Sequence, residues 1–459
     1  MGSKWKTSFL TDHYSISSGL SKPAKDFGTG YPFLSFKDIF YNYFLPDSLT
    51  QLVQSTDKER ASCSVRRGDV FLTRTSETMH ELGMSSVALK DYTDATFNGF
   101  CKRLRPKETS ELEPEYVGYY LRSPVFRQSM LAFSTMSTRA SLNNEMISRL
   151  EISYPDRKIQ KKIANILLSL DEKIAISRAI NQTLEQMSQT LFKSWFVDFD
   201  PVIDNALDAG NPIPEALQSR AELRQKVRNN VDFKPLPADI RALFPADFEE
   251  TDLGWAPKTW KVESLNRIAN FQNGLALQKF RPRNNEEEYL PVLKIADLRA
   301  GYINNEERAT VDIIDSCKVY DGDMIFSWSG TLMIDIWTGG NAALNQHLYK
   351  VTSQKYPQSF YLMWTKQHLS KFQHIAEAKA VTMGHIKKGD LNDSLCLIPS
   401  SLLVDKYDSI VGKYFTKIKN QRLLNNQLTA LRDTLLPKLI SGELSLEDLP
   451  DLVTQTEPA

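Results

Sequence analysis

The chain has 459 residues, enough for roughly three folding units at about 150 residues each. Lys plus Arg and Asp plus Glu both number 56, so the formal net charge is zero and any surface for a polyanion must be local. No apolar run approaches the roughly 20 residues of a membrane span, and the N-terminus lacks the layout of a secretory signal. Four scattered cysteines without a Cys-x-x-Cys pair argue against a zinc site and a disulfide framework, so we expect a cytoplasmic protein.

Residues 1–150 are predicted to form an α+β domain. Gly, Pro, Asn and Asp punctuate short segments that are rich in β-forming residues. These predicted strands are residues 32–36, 68–74, 85–89 and 97–104. A helical patch is predicted near residues 116–133.

A long helix is predicted within residues 151–200. It opens at Pro155-Asp156, where a proline is followed by an N-capping carboxylate. Its apolar residues recur mostly at spacings of three and four, which places them in one stripe. The stripe comprises Ile159, Ile163, Ile166, Leu170, Ile174, Ile180, Leu184, Met187 and Leu191.

The rest of the chain is predicted to hold a connector, a second domain and a second long helix. Residues 201–258 are rich in proline and read as a connector with one short helix. Residues 259–394 read as a second α+β domain, with strands at 289–295, 323–328 and 344–351 and a helical patch near 360–376. Residues 395–446 contain a second spacer helix that opens at Pro399, and residues 447–459 form a C-terminal tail.

The second half of the chain repeats the first. Residue pairs along the two long helices stand 244 positions apart without a gap. These pairs are Pro155/Pro399, Lys162/Lys406, Ile166/Ile410, Ile174/Ile418, Arg178/Arg422, Asn181/Asn425, Leu184/Leu428 and Leu191/Leu435. Offsets of 254 to 259 relate earlier residues, among them Trp5/Trp260 and Asp69/Asp323. A period this long indicates duplicated domains in a pseudo-twofold arrangement, not a solenoid of short repeats.

The two long helices are predicted to pair with each other. About 40 residues at about 1.5 Å per residue give roughly 60 Å, and a stripe of that length needs a partner to cover it. If the domains lie at opposite ends, the helices form an antiparallel coiled coil whose register Asn181 and Asn425 could fix. The alternatives are two ordinary core helices, and asparagines that are merely solvated.

The order of these motifs resembles the specificity subunit of type I restriction-modification systems over nearly the whole chain. That family is built as target-recognition domain, helix, target-recognition domain, helix. The matching segments are Leu253-Gly254-Trp255-Ala256-Pro257-Lys258-Thr259-Trp260, Gly68-Asp69, Gly322-Asp323 and Leu191-Phe192-Lys193-Ser194-Trp195-Phe196-Val197-Asp198-Phe199-Asp200-Pro201. One departure is the Glu-Gln that commonly follows the helix-opening proline, which is reduced here to Ile159-Gln160 and Leu403-Val404.

The resemblance implies a non-catalytic subunit that reads double-stranded DNA. Each globular domain would read a few base pairs and the helix pair would act as a spacer, so the target would be bipartite with an unread gap. The partners would be two methyltransferase subunits, to which two restriction subunits can be added. The chain would hold no cofactor, whereas S-adenosylmethionine, ATP and Mg²⁺ would belong to the partner subunits in a bacterial or archaeal cytoplasm.

Candidate DNA contacts lie in loops that combine basic residues with Ser, Thr, Asn, Gln or aromatic residues. Phosphate neutralisation sets affinity, whereas Arg, Asn and Gln reaching base edges give specificity. The first domain offers Arg66, Arg67, Arg74, Thr75, Ser76, Arg103, Arg105 and Arg139, the last in the loop Thr138-Arg139-Ala140-Ser141, with Lys102, Arg122 and Arg127 as further basic residues. The second domain offers Gln278, Lys279, Arg281, Arg283, Trp328, Ser329, Asn345, Gln346, His347 and Lys387. The alternative for each Lys and Arg is a solvated surface residue.

The end of each long helix is a candidate docking surface for the methyltransferase subunit. Four aromatic residues fall at i, i+3, i+4 and i+7 and therefore share one helical face. They are Phe192, Trp195, Phe196 and Phe199, and Leu436, Leu439 and Ile440 are the second-copy equivalents of the first three. The alternative is that these side chains contact the neighbouring recognition domain or the paired helix.

The sequence carries no recognised catalytic signature. It lacks a phosphate loop, a dinucleotide-binding fingerprint, a His-x-x-x-His pair and an Asn/Asp-Pro-Pro-aromatic methylase motif. Two other hypotheses stay open. A coiled-coil scaffold that binds only proteins predicts no sequence-selective DNA retention, and a self-sufficient nuclease or methyltransferase predicts activity of the chain alone.

Overall fold

The computed structural model describes residues 5–75, 81–132, 141–284, 286–378, 384–444 and 446. The chain divides into two compact units. Unit 1 comprises residues 1–174 and 427–459, and unit 2 comprises residues 175–426. Each unit contains a β-rich domain and a part of both long helices.

Unit 1 contains short strands and short helices. Its strands are β1 (Lys6–Phe9), β2 (Tyr14–Ser18), β3 (Phe27–Leu34), β4 (Gln51–Val53), β5 (Val70–Thr73), β6 (Ser85–Val87), β7 (Thr96–Phe97), β8 (Cys101–Pro106) and β9 (Glu151–Tyr154). Its short helices are α1 (Leu10–His13), α2 (Phe36–Tyr41), α3 (Asp57–Ser62), α4 (Pro114–Tyr120), α5 (Pro124–Ala132) and α6 (Asn144–Ser148). The strands form sheets in the orders β1-β9, β2-β8-β5-β6 and β4-β3-β7.

The first long helix, α7 (Arg157–Phe192), begins after the predicted proline. Residues 151–154 form β9 instead, because they pair with β1. The Asp156 carboxylate accepts a hydrogen bond from the backbone N–H of Ile159 at 3.0 Å, which caps the helix start. The Gln160 side chain is buried and bonds to the backbone of Glu111, Glu113 and Pro155, so this glutamine anchors the helix to its own domain.

The connector is more helical than predicted. One short helix was expected, but the structure has α8 (Asp200–Ala209), α9 (Gln218–Arg228) and α10 (Ala238–Arg241). α8 buries an apolar face, and ion pairs between its acidic residues and arginines of α9, each pair 20 positions apart, hold the mostly polar α9 against it. The pairs are Asp200–Arg220, Asp204–Arg224 and Asp208–Arg228.

Unit 2 repeats the pattern of unit 1. Its strands are β10 (Phe248–Thr251), β11 (Gly254–Pro257), β12 (Lys261–Ser264), β13 (Asn270–Asn273), β14 (Tyr289–Leu293), β15 (Arg308–Thr310), β16 (Lys318–Val319), β17 (Met324–Ser327), β18 (Met333–Ile336), β19 (Ala342–Leu344), β20 (Leu348–Thr352) and β21 (Leu395–Ile398). Its remaining helices are α11 (Leu265–Ile268), α12 (Ile295–Ala300), α13 (Gln358–Ala378), α14 (Lys388–Asn392) and the second long helix, α15 (Ser401–Ser441).

The internal duplication is visible in the sheets. The sheet β13-β20-β17-β18 has the strand order of β2-β8-β5-β6, and β12-β21 corresponds to β1-β9. The parallel pair β14-β19 likewise corresponds to β3-β7. The predicted α+β class, with two β-rich domains and long helices, is confirmed.

The long helices pair within each unit. In unit 1, Asp171 of α7 and Arg432 of α15 form an ion pair at 2.7 Å. In unit 2, Glu185 pairs with Arg422 at 2.9 Å, and the Phe192 ring packs against Tyr407. Positions that advance along α7 meet positions that recede along α15, so the predicted antiparallel pairing is confirmed. No helix in the described ranges is both long and apolar enough to cross a bilayer.

Candidate nucleic-acid interface

The four-stranded sheet of unit 1 ends in a polar surface. The register pairs Ser18 of β2 and Leu72 of β5 with Lys102 of β8. Arg74 stands two residues beyond Leu72 and therefore lies on the same sheet face as Lys102. The backbone N–H of Arg74 donates to the Phe100 carbonyl at 2.8 Å.

The equivalent sheet of unit 2 ends in the same backbone arrangement. Asn273 of β13 and Phe326 of β17 pair with Tyr349 of β20. The backbone N–H of Trp328 donates to the His347 carbonyl at 3.4 Å. A bridge between Ser329 and His385 repeats the bridge between Thr75 and Ser141 in unit 1.

These registers define six equivalent positions in the two units. The first sheet end consists of Ser18, Arg74, Thr75, Phe100, Lys102 and Ser141. The second sheet end consists, in the same order, of Asn273, Trp328, Ser329, His347, Tyr349 and His385. The backbone is the same in both, whereas the side chains differ at every position.

A close backbone approach supports both sheet ends. Gly19 and Gly274 each lie against a backbone carbonyl of a neighbouring segment, that of Asn98 and that of Asn345 respectively. A Cβ at either glycine would stand 2.2 Å from that oxygen, so only glycine fits there.

The second sheet end is aromatic and carries mixed donors and acceptors. Trp328 Nε1 donates to Asn273 Oδ1 at 3.1 Å, and the Trp328 ring lies 5.7 Å from that of Tyr349. His347 Nδ1 lies 3.1 Å from Ser329 Oγ. Burial raises the pKa of Tyr349, so its hydroxyl stays protonated at neutral pH.

The first sheet end is cationic. Lys102 is only 8% exposed, and its Nζ donates to Ser18 Oγ at 2.9 Å. Burial, and then the charge of Arg74, lower the pKa of Lys102. Within the described ranges, no carboxylate pairs with Arg74 or Lys102, and the Phe100 ring beside them is 64% exposed. Two neighbouring cations that have no carboxylate partner in the described part of the chain suit an electron-rich acceptor.

Several predicted residues converge on the sheet ends. Trp328, Ser329 and His347 belong to the second sheet end, and Gln346 Nε2 lies 3.3 Å from His347 Nε2. Asn345 Oδ1 accepts from the His347 N–H, and Lys387 is exposed two residues after His385. Arg74 and Thr75 belong to the first sheet end.

Other predicted residues lie elsewhere. Arg66 and Arg67 precede β5, at the opposite end of that strand from Arg74, and Arg67 pairs with Glu115 at 2.5 Å. Gln278 and Lys279 are exposed on a turn after β13. Arg281 and Arg283 line an open cleft of mixed charge together with Tyr289, Lys294, Glu307 and Arg308. Ser76 and Arg139 lie outside the described residues.

Two predicted DNA contacts are corrected by the structure. Arg103 is buried and donates to the Ser64 carbonyl at 2.6 Å. Arg105 forms two hydrogen bonds with the buried carboxylate of Asp69, at 2.6 and 2.8 Å. Side chains alternate along β8, so both arginines lie on the opposite face from Lys102 and stabilise the fold.

The predicted aromatic docking surface is also corrected. Phe192, Trp195, Phe196 and Phe199 are buried in the core of unit 2. The Phe196 ring lies 5.0 Å from Tyr407, and that of Trp195 lies 5.2 Å from Phe244. Leu436, Leu439 and Ile440 are buried in the core of unit 1. The alternative interpretation, contacts with the recognition domain and the paired helix, accounts for all seven side chains.

The sequence interpretation missed five members of the sheet ends. They are Ser18, Phe100, Asn273, Tyr349 and His385. The constant helix offset of 244 also relates Ser141 to His385, so that pair carried a usable signal. Lys102 and Tyr349 stand 247 apart, an offset that only the strand register reveals.

Comparison with known proteins places the chain in a family. The profile described as "Type I restriction modification DNA specificity domain" matches residues 2–186 and 257–427, and the chain belongs to this family. It is therefore a specificity subunit that recognises DNA sequence and is not itself an enzyme, since the catalytic activities reside in other subunits. No group of three or more metal-ligating side chains occurs in the part of the chain that the structure covers.

The relatives match nearly the whole chain. The chain is 25% identical over 474 residues to the type I restriction enzyme HindI specificity subunit of Haemophilus influenzae, covering 96% of this chain and all of that one. It is 25% identical over 464 residues to the MjaIX specificity subunit of Methanocaldococcus jannaschii, covering 97% and 94%. The crystal structure of a type I S subunit from M. genitalium shares the fold with a TM-score of 0.50 at 13% identity, covering 95% and 96%.

Proposed function

We propose that this chain reads a bipartite DNA target, one half-site with each domain, across a gap that the paired helices set. The observation that carries the proposal is that one backbone platform is built twice with different side chains. Two equal platforms suit a ligand with two related halves, and different side chains suit two different base sequences. The gap is not read, because helices that space the domains contribute length and not base contacts.

Both platforms offer groups that DNA recognition uses. Arg, His, Asn and Gln side chains supply directional hydrogen bonds to base edges, and aromatic rings supply apolar contacts. The net charge of zero does not oppose this function, because the cations of the first sheet end are concentrated locally.

Mapping of modified bases tests the proposed target. Genomes from cells with and without this gene are sequenced by a single-molecule method that detects base modification. We expect one two-part motif with a fixed gap that is present only with the gene. A contiguous motif, or no motif that depends on the gene, would contradict the proposal and favour the protein-binding scaffold.

We further expect the partner methyltransferase subunits to dock on the long helices. Ile176 and Met187 of α7 are 61% and 45% exposed, and Leu424 of α15 is 48% exposed. Ile176 and Met187 stand eleven residues apart and therefore share one flank of the helix. Exposed apolar side chains of this kind favour protein interfaces.

Charged substitutions test this docking surface. Ile176→Asp with Met187→Asp should abolish co-purification of the methyltransferase subunit, because a carboxylate cannot be buried against an apolar partner without cost. The matched control is Gln182→Asp with Gln189→Asp, which places the same charges on the other flank of α7. Equal retention of the partner by both double variants would exclude this surface.

A further inference from the structure

The two sheet ends occupy equivalent places but differ in the hydrogen bonds that they can offer. Arg74 and Lys102 lie at the end of the sheet face that carries the core of unit 1, and their side chains can donate hydrogen bonds but cannot accept them. On the same side of the second sheet end stand Trp328 and Tyr349, which continue the apolar face of their sheet. The cationic pair of unit 1 thus occupies the positions that an aromatic pair occupies in unit 2.

In the first sheet end, the side chain of Lys102 and the backbone of Arg74 are held in place. Lys102 is nearly buried, and Ser18 holds its Nζ at 2.9 Å. Ser18 itself is exposed, so the lysine lies just beneath the surface of the sheet end. Arg74 is exposed beside it, and its backbone is fixed by bonds to Phe100 and Leu142.

A fixed, partly desolvated donor discriminates sharply between ligands. If the approaching group is also a donor, the buried ammonium gains no acceptor beyond Ser18. A buried cation that is short of acceptors costs far more than the loss of one hydrogen bond in water. Lys102 therefore suits a site that selects acceptors. A phosphate contact needs only an exposed, flexible cation, which Lys102 is not.

We infer that Arg74 and Lys102 select a guanine in the half-site that unit 1 reads. In the major groove, guanine is the base that presents two acceptors, N7 and O6, and no donor. Arg74 supplies the fork that matches this edge, and Lys102 supplies the second cation. The aromatic equivalents in unit 2, Trp328 and Tyr349, offer single neutral donors and no cationic fork, so we assign this contact to the half-site that unit 1 reads. The inference rests on the proposed function, because it presupposes that unit 1 contacts DNA.

The experiment compares motifs of modified bases made by the full chain with its native partner subunits. The variants are Arg74→Gln, Arg74→Lys and Lys102→Gln. We expect guanine to lose its advantage at one position of one half-site, by about tenfold to a hundredfold, while the other half-site stays unchanged. Arg74→Lys should relax the same position, because an ammonium lacks the bidentate fork.

Matched controls separate a base contact from a phosphate contact and from misfolding. Lys58→Gln removes an exposed cation of α3 in the same unit and should leave the motif unchanged. Thermal melting and co-purification of the methyltransferase subunit should match the parent chain for every variant scored. Trp328→Phe should alter the other half-site alone.

Three outcomes would overturn the inference. If the variants modify all sites less and still require guanine, the two cations contact phosphates and not the base. An unchanged motif, or a first half-site without guanine in the parent, would exclude the base contact. In all three outcomes the parent chain still produces a split motif that depends on the gene. If the proposed function itself fails, the parent chain produces no such motif.

Discussion

At the scale of single residues, the alternation of side chains along β8 decides what each cation does. Lys102 lies on the face that continues the core of unit 1, and Arg103 and Arg105 lie on the opposite face. Among the described residues, the cation of the first face is held by the Ser18 hydroxyl, whereas on the second face Arg105 is paired with the Asp69 carboxylate. Three basic residues within four positions therefore divide into one recognition candidate and two structural residues.

Arg105→Met should destabilise unit 1. The Asp69 carboxylate is fully buried, and without Arg105 it loses its paired cation and keeps the hydrogen bond from the backbone N–H of Arg66. We expect a loss of about 3 kcal/mol in the free energy of unfolding. Urea titration followed by circular dichroism measures it, with Arg105→Lys as the charge-preserving control. Unchanged stability would mean that Asp69 is compensated elsewhere and would return Arg105 to the DNA candidates.

His368 should make unit 2 sensitive to acid. Burial lowers its pKa to about 4, below its value of about 6.5 in an unfolded chain. The neutral ring is favoured in the folded state, so its contribution is complete above pH 6.5 and is lost as the pH falls from about 6.5 towards 4. Melting temperatures across this range should fall less steeply for His368→Gln than for the parent. His374→Gln, which changes an exposed histidine one and a half turns later, is the control, and an equal slope in all three chains would contradict the assignment.

At the scale of elements, the helix pair carries a polar layer in its apolar seam. Asn181 and Asn425 are buried, and in the described structure neither side-chain oxygen has a hydrogen-bond partner. Ser177 on α7 and Gln421 on α15 add further unpaired oxygens one turn away. We expect such a layer to cost stability and to fix the register of the two helices, because shifting either helix would bury these groups against apolar neighbours.

Asn425→Leu should stabilise the helix pair of unit 2. Replacing an unsatisfied amide by an apolar side chain removes a desolvation penalty of about 1 kcal/mol, equivalent to roughly 2–4 °C in the melting temperature. Calorimetry measures the shift, and Asn420→Leu on the exposed side of α15 is the control. A lower melting temperature for Asn425→Leu would mean that the amide has a bound partner, such as water.

The elements also show how far sequence reasoning reaches. The helix stripes, the antiparallel pairing and the duplication were predictable from the constant offset of 244. An insertion within a paired helix would move every later apolar residue out of the packed stripe, so the two helices kept the same length. The helix content of the connector was underestimated, since the pairing of α8 with α9 depends on charges that meet only after folding. The spacing of the aromatic residues from Phe192 to Phe199 predicted that they share one helical face. Periodicity cannot tell whether other parts of the protein cover that face.

The sheet ends were only partly predictable for a related reason. Arg74, Trp328 and His347 were found because they stand in loops of mixed chemistry. Lys102 carried no distinguishing signal among the basic residues around it, and Tyr349 reads as an ordinary strand residue. Their place beside Arg74 and Trp328 follows from strand register, which loops of unequal length conceal in the sequence.

At the scale of the whole molecule, we propose that the chain consists of two reading domains joined by a spacer. Identity of the half-sites should depend on the sheet ends, and the gap between them should depend on the helices alone. The two properties should therefore change independently. This independence is the central claim.

The most direct test inserts one heptad into each long helix, at the equivalent points after Arg178 and Arg422, and maps modified bases in cells. Seven residues add about 10 Å of helix, which corresponds to about three base pairs at 3.4 Å each. Seven residues inserted in the loop after Gly210 of the connector serve as the control and should leave the motif unchanged. We expect a gap longer by about three base pairs between two unaltered half-sites. Altered half-sites with the original gap would contradict the proposed independence.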